Sequence, residues 1–384
     1  MSDAIAAVAA TPDRTPSRPV YDGKLGELYA NYLRHLLLML LTLGWSRFWG
    51  RTRLRRYLWS HFSILGDRFE YRGRGLELFV GFVLVLLILG AWGGLVWLAW
   101  HFAIEAHGVP GVGPLDLFYV SIAFIGVPLA FVGQYAGLRY RLSRTRWRGI
   151  RGDLAGSAWL YGVMASLFTL ANAVTAQLMT PVVSVNLARP RLQNASIGTQ
   201  RLEFAGNAGD IYGRYLGYYF LNILLWIVVI GLGATALIMG GVKFGIDESK
   251  VAEIFTKPGI ATLLLVVVAL FVLSTLFGLL ILPLRCWWQA YLLRYLVARV
   301  RAGPVLFATA ISTRHMWSFM VVNYLIVVMT LGLGWPWVMH RTLRLIADQL
   351  WIYGAPDGAS IRQPEGHGPR YGEGLLDMFD VAGV

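Results

Sequence analysis

Residues 78–100 read LFVGFVLVLLILGAWGGLVWLAW, an apolar run without one charged side chain. A helix rises about 1.5 Å per residue and the hydrocarbon core of a bilayer is about 30 Å thick, so about 20 such residues cross it. Three further uncharged runs follow at 215–242, 258–284 and 316–339. They are continuous rather than striped, unlike the amphipathic helices of a soluble core. Hydrophobic residues make up 57% of the chain and charged residues only 14%, where a soluble domain carries about 25% charged residues. The chain therefore lacks the polar side chains to coat a water-facing surface. These observations predict an all-α polytopic membrane protein of about 6–7 membrane segments, by length and hydropathy.

The ends have a different composition. Residues 1–20 are rich in Ala, Pro, Ser and Thr, with no basic residue before the short apolar stretch 4–10. That is not the pattern of a secretory signal, and it predicts a disordered cytoplasmic tail. Residues 355–384 are rich in Gly, Pro and acids, and read as a loosely ordered tail. Residues 21–354 are left as a single repeat-containing membrane domain. The net charge of +13 comes mainly from Arg set between apolar runs, which fits contact with anionic headgroups, and no nucleic-acid motif accompanies it. A lone cysteine, Cys286, excludes an internal disulfide and a multi-thiolate metal site.

A short pattern recurs along the chain. Tyr21-Asp22-Gly23 precedes Glu27 and Tyr29, Tyr71-Arg72-Gly73 precedes Glu77 and Phe79, and Phe204-Ala205-Gly206 precedes Asp210 and Tyr212. A fainter copy, 151–156, precedes the run from Trp159. Each predicts a short cytoplasmic strand, a glycine turn and a membrane helix. The acid falls in the first helical turn, where it suits the positive end of the dipole. Alternatively, Glu27, Glu77 and Asp210 form a ring of ligands at one membrane face.

A second pattern overlaps the first. Asn31 leads to Thr42-Leu43-Gly44-Trp45 and then Arg51 and Arg55; Asn323 leads to Thr330-Leu331-Gly332, Trp335-Pro336-Trp337 and then Arg341 and Arg344. A weaker version has Asn172, Thr180-Pro181, Arg189 and Arg191. Each is an apolar segment, a break and an Arg-rich helix suited to the headgroup plane.

Taken together, the opening Tyr-Asp-Gly with Gly26-Glu27-Leu28-Tyr29, Asn31, Thr42-Leu43-Gly44-Trp45, the run 53–57, Gly66 and Arg68-Phe69-Glu70-Tyr71-Arg72-Gly73 resemble the YjgN family of bacterial inner-membrane proteins. The resemblance extends over about residues 20–353. One departure is that Ser46-Arg47-Phe48-Trp49 stands where the family commonly has Pro-Trp; the last copy keeps Trp335-Pro336-Trp337. The resemblance implies a multi-pass protein of the bacterial inner membrane and carries no established activity.

Charge predicts the topology. Residues 47–74 hold eight Arg against two acids, 139–153 six Arg against one Asp, 184–214 four Arg against two acids, and 285–314 five Arg and no acid. These four segments are expected in the cytoplasm. Residues 105–116 lack a basic residue and 243–257 balance three Lys with three acids, so both are expected outside. That accounts for two pairs of spans. Segments 25–45, 158–183 and 316–339 are left over: full spans that violate the charge rule, or re-entrant elements. Length favours full spans for the second and third.

No nucleophile, metal-ligand or phosphate-loop motif appears, and the seven His are scattered. The chain therefore does not read as an enzyme, and no cofactor or metal is implied. Glu27, Asn31, Arg34, Glu77, Asn172, Asp210 and Asn323 are candidates for a polar cavity or for helix starts. Arg51, Arg53, Arg55, Arg56, Arg341 and Arg344 are candidate contacts for lipid headgroups. The expected partners are membrane lipids, including anionic ones, and a membrane or cytoplasmic protein, but no nucleic acid. Two functions compete: a non-catalytic membrane scaffold or envelope component with a basic cytoplasmic face, and a transporter or channel for a small anionic solute. A polar cavity around Arg34 would favour the second.

Overall fold

The computed structural model describes residues 16–105, 113–244, 260–355 and 362–363. Most of the two loops expected outside, the far N-terminal tail and most of the C-terminal tail lie outside those residues. The chain forms two compact units, Met1–Ala208 with Arg294–Ala310 and Ile326–Val384, and Gly209–Leu293 with Ile311–Leu325.

The first unit is organised by strands of only two to five residues: β1 (Pro16–Ser17), β2 (Val20–Tyr21), β3 (Phe62–Ile64), β4 (Asp67–Tyr71), β5 (Thr145–Trp147), β6 (Ile150–Leu154), β7 (Ala195–Ile197), β8 (Gln200–Arg201), β9 (Glu203–Phe204), β10 (Val300–Ala302), β11 (Val305–Thr309) and β12 (Leu350–Tyr353). They form an antiparallel seven-stranded sheet, β2 to β8 in chain order, and a five-stranded one ordered β1-β12-β11-β10-β9. β1 runs into β2 across two residues and β8 into β9 across Leu202, whose N–H still bonds Ala195 at 2.9 Å. Each of these stretches passes from one sheet to the other, so the ladder closes into a ring. The join between β1 and β12, Pro16 opposite Tyr353, pairs the first described strand with the last.

The ring alternates two kinds of connection. Tight hairpins link β3–β4 and β5–β6 through Leu65-Gly66 and Arg148-Gly149, whose φ angles of 53°, 86°, 53° and 76° are those of a primed turn. Two-residue turns also link β7–β8 and β10–β11, and helices fill the remaining intervals between paired strands. Between β2 and β3 lie α1 (Leu25–Leu41) and α2 (Arg47–Ser60). Between β4 and β5 lie α3 (Gly75–Ala99), continued as a π-helix, then α4 (Pro114–Ser121), a second π-helical stretch and α5 (Val127–Arg144). Between β6 and β7 lie α6 (Ala158–Val174) and α7 (Thr180–Gln193). In chain order α8 (Gly209–Phe244) and α9 (Ile260–Ala298) separate the paired β9 and β10, while α10 (Thr313–Met329) and α11 (Trp335–Gln349) separate the paired β11 and β12. Each helical excursion in this chain thus leaves and re-enters the ring at neighbouring strands.

This corrects the all-α expectation. Two antiparallel sheets are present, and among the described residues two helical stretches are long and apolar enough to cross a membrane, Gly75–Phe102 and Gly209–Leu232. The leftover segments 25–45, 158–183 and 316–339 are not single helices. Each breaks after a 17-residue helix, which at 1.5 Å per residue is about 25 Å long and short of a bilayer core. The break is chemical. Leu43 and Gly44 (φ 50° and 92°), Ala176 and Gln177 (48° and 72°), and Leu331 and Gly332 (49° and 88°) all adopt left-handed backbone. Thr42 Oγ1 donates to Leu38 O at 2.7 Å and accepts from Ser46 N at 3.0 Å, so it serves the end of one helix and the start of the next. Thr330 does the same with Ile326 and Gly334. In the middle copy the turn is at Thr175, and Thr180-Pro181 begins the returning helix.

The repeated glycine also has a steric origin. The ring two residues earlier folds over it, so a Cβ at Gly23, Gly73 or Gly206 would overlap Tyr21, Tyr71 or Phe204. Gly73→Ala is expected to cost about 2 kcal/mol through overpacking against the buried Tyr71. Gly26→Ala, with open space around the new methyl, is the control. Equal thermal unfolding of the two variants in detergent would refute this account.

The ring interior is packed rather than open. Phe69, Trp147, Leu202, Phe307 and Ile352 enclose a cavity of about 90 Å³, with Gln200 as its polar member. In the second unit α8 and α9 pack antiparallel: Tyr215 meets Trp288 at 5.0 Å and Trp226 meets Phe277 at 4.5 Å between ring centres. Cys286, Ala290, Ile311 and Met316 form its buried cluster.

Candidate functional site

The repeated acids are each tied to their own returning helix. Glu27 accepts from Tyr57 Oη of α2 at 3.1 Å and lies 3.4 Å from Lys24 Nζ. Glu77 receives Arg144 of α5 in a forked pair, Nε at 3.0 Å and Nη2 at 2.9 Å, together with the Tyr140 hydroxyl. Asp210 begins α8, and its carbonyl accepts from Tyr291 Oη of α9 at 3.4 Å. All three therefore stand in first turns, as the dipole argument expects, but two of them also clamp a helix pair by side-chain contacts.

Two of the asparagines bond within their own helical excursion. Asn31 Nδ2 donates to Glu27 O at 3.0 Å, and Asn172 Oδ1 accepts from Thr180 Oγ1 at 3.2 Å beside the α6 turn. Asn323 Oδ1 is buried without a hydrogen bond among the described residues. Arg34 is exposed on α1. Of the basic candidates, Arg53, Arg56 and Arg344 are exposed, and Arg51 and Arg341 are half-buried. Arg55 is only 2% exposed, with Nη1 3.5 Å from Tyr71 Oη, so it belongs to the core and not to the headgroup plane.

A relation missed from the sequence connects the basic helices to the repeated glycines. Arg56 Nη2 donates to Gly73 O at 3.2 Å, Arg189 Nη2 to Gly206 O at 2.9 Å, and Arg139 Nη2 to Gly156 O. In every case the arginine lies seventeen residues before its glycine. That constant interval was visible in the sequence, but only once each glycine is measured back to the preceding helix. The arginine binds a carbonyl at the helix entry and so locks the returning helix to the next strand exit.

The seam between the chain ends breaks this rule. Arg344 follows Thr330 by the same fourteen residues that separate Arg56 from Thr42 and Arg189 from Thr175. Gly23 takes the place of the glycine. Among the described residues Arg344 makes no hydrogen bond or ion pair. A cleft of about 530 Å³ lies there instead, lined by Tyr21, Gly23, Lys24, Trp337, His340, Arg341 and Arg344, with Asp22 and Leu25. Asp22 is paired with Arg68, so its charge is already answered. His340 Nδ1 lies 3.3 Å from Tyr21 Oη, the two rings meeting edge-on at 5.3 Å. Burial, and to a lesser degree Tyr57, pushes the Tyr21 phenol up to about 12, so it stays protonated. Burial and nearby Arg344 push the His340 imidazole down, so at neutral pH it is uncharged. The cleft thus has a surplus of cation and neutral hydrogen-bonding groups beside an exposed tryptophan.

Comparison with known proteins agrees with the earlier resemblance. The family model described as bacterial protein of unknown function, DUF898, matches residues 16–378. Inner membrane protein YjgN of Salmonella typhimurium (strain LT2) is 22% identical over 401 aligned residues, which cover 90% of this chain and 91% of that protein. No solved structure matches. The family match begins at β1 and takes in the whole ring with its helical excursions, and the chain belongs to the DUF898 family, the family of YjgN.

Proposed function

We propose that this protein is a non-catalytic scaffold of the bacterial inner membrane. The ring lies at the cytoplasmic face, the helical excursions are set into the bilayer, and a basic collar grips anionic lipid. The observation that carries this reading is the form of the short excursions. Their turns present Leu43 and Leu331 at 91% and 92% exposure, while their returning helices bring arginines back toward the strands. Apolar tips with basic feet suit a helix pair that enters a bilayer and leaves by the same face. The four Arg-rich segments include strands of the ring or the helix ends next to them, so one cytoplasmic face satisfies the charge rule for all of them. Full spans at 158–183 and 316–339 would violate it. The name of the YjgN relative, an inner membrane protein, supports the same placement. The exposure of Arg34 favours a scaffold over a transporter that uses it within a cavity.

Fluorophores on Leu43→Cys and Leu331→Cys test the placement, since native Cys286 is buried. In lipid vesicles both are expected to be quenched by doxyl groups on acyl chains and shielded from aqueous iodide. Iodide quenching at both tips would reject the membrane-dipping arrangement, and solute flux through the purified protein would reject the scaffold.

A further inference from the structure

We propose that the seam cleft is a binding site for a phosphate group, either the headgroup phosphate of an anionic membrane lipid or free phosphate ion, with Arg344 as its principal donor. The lipid source rests on the membrane placement above; the phosphate chemistry does not. Three copies of one arrangement show what the arginine at this position does: it donates to the carbonyl of the next glycine. Among the described residues the equivalent pair at the seam, Arg344 and Gly23, makes no such bond and lines a cleft of about 530 Å³ instead. A guanidinium without a protein acceptor presents a planar fork suited to two oxygens of a phosphate. Lys24 and Arg341 line the same cleft and add positive charge, and Asp22 is turned to Arg68. The protonated Tyr21 hydroxyl stands beside them as a neutral polar group. Trp337 and Leu25 supply the apolar side, where the glycerol end of a lipid would rest.

The site has a structural consequence. Tyr21 and Lys24 come from the start of the chain, Arg344 from its end. A phosphate held between them would tie the two ends together where β1 and β12 close the ring with two residue pairs. Binding should therefore protect the first strands from proteolysis.

Native mass spectrometry of the full chain in detergent tests this with short-chain phosphatidylglycerol, short-chain phosphatidylcholine and inorganic phosphate as probes. Phosphatidylglycerol is expected to bind the wild-type chain at least tenfold more tightly than phosphatidylcholine. Arg344→Gln should lose at least tenfold in that affinity, Arg344→Lys should lose less, and Arg201→Gln, exposed on β8 and outside the cleft, should be unchanged. Binding of the lipid without binding of inorganic phosphate assigns a headgroup; Arg344-dependent binding of inorganic phosphate alone assigns the free ion. Equal binding by Arg344→Gln and wild type, or failure of both phosphatidylglycerol and phosphate to bind, would overturn the proposal. Should Arg344→Gln not fold, Arg344→Lys with unaltered affinity for every probe overturns it as well. Fluorophores on Leu43→Cys and Leu331→Cys in the same preparations separate the two readings: shielded tips with no cleft binding reject the cleft alone.

Discussion

Deletion of residues 1–21 is expected to open the ring and leave a protein that no longer unfolds cooperatively. The segment looks dispensable by composition, yet it supplies β1 and β2. Removing it strips Pro16 and Ser17 from β12 and Val20 and Tyr21 from β3. It also removes the Arg18 guanidinium stacked 3.6 Å over Trp351 and the Tyr21 ring packed on His340. At about 1 kcal/mol per lost hydrogen bond and about 2 for a buried aromatic, the loss is on the order of 5 kcal/mol, comparable with the whole stability of many domains. Two bare strand edges would remain, which invites association between chains. Deletion of residues 1–12 should be harmless, since the first strand begins at Pro16. Limited proteolysis and size-exclusion profiles of the two truncations provide the check. A monodisperse, heat-stable protein lacking residues 1–21 would show that the ring does not depend on its closing strands.

Glu77→Ala should destabilise the first unit by about 2 kcal/mol, whereas Glu27→Ala should cost less than about 1 kcal/mol. Both acids occupy first turns and would be equivalent if the dipole were their whole role. They differ in partners and in burial. Glu77 and Arg144 are each 23% exposed and joined by two hydrogen bonds, with Tyr140 as a third donor. Truncation would leave a half-buried guanidinium without its counter-ion, the costly way to break a pair. Lys24 and Glu27 are 78% and 49% exposed, and water takes over either charge at small cost. Thermal unfolding of the single variants, with Arg144→Ala closing a double-mutant cycle for Glu77, measures the difference. Equal losses at 27 and 77 would return both acids to simple helix-start residues.

Several features were legible in the chain itself. The runs at 78–100 and 215–242 overlap the two long apolar helices, because burial in hydrocarbon demands uninterrupted apolar length and composition reports length directly. Aromatic-x-Gly followed by an acid announced a strand, a turn and a helix start, and that order is found at Gly23, Gly73 and Gly206. Thr-Leu-Gly announced a break, and the backbone is left-handed there. The family resemblance was readable from the same motifs. All of these signals are local: each depends on neighbours within a helical turn or two.

Closure was decided elsewhere. A two-residue strand such as β1 has no periodicity to read, and its partner β12 is more than 300 residues away. Pairing over that distance depends on the whole set of helical excursions returning to one place, which no window of sequence contains. The direction of the short excursions was undecided for the same reason. Composition measures how apolar a segment is, while the hydrogen bonds of Thr42 and Thr330 and the strands on either side determine that it turns back. The burial of Arg55, the fork between Glu77 and Arg144, and the isolation of Arg344 likewise follow from which helix stands opposite. Residue type thus determined the local elements and how apolar each of them is. Tertiary structure alone decided which arginines bond a carbonyl and that, among the described residues, Arg344 at the seam does not.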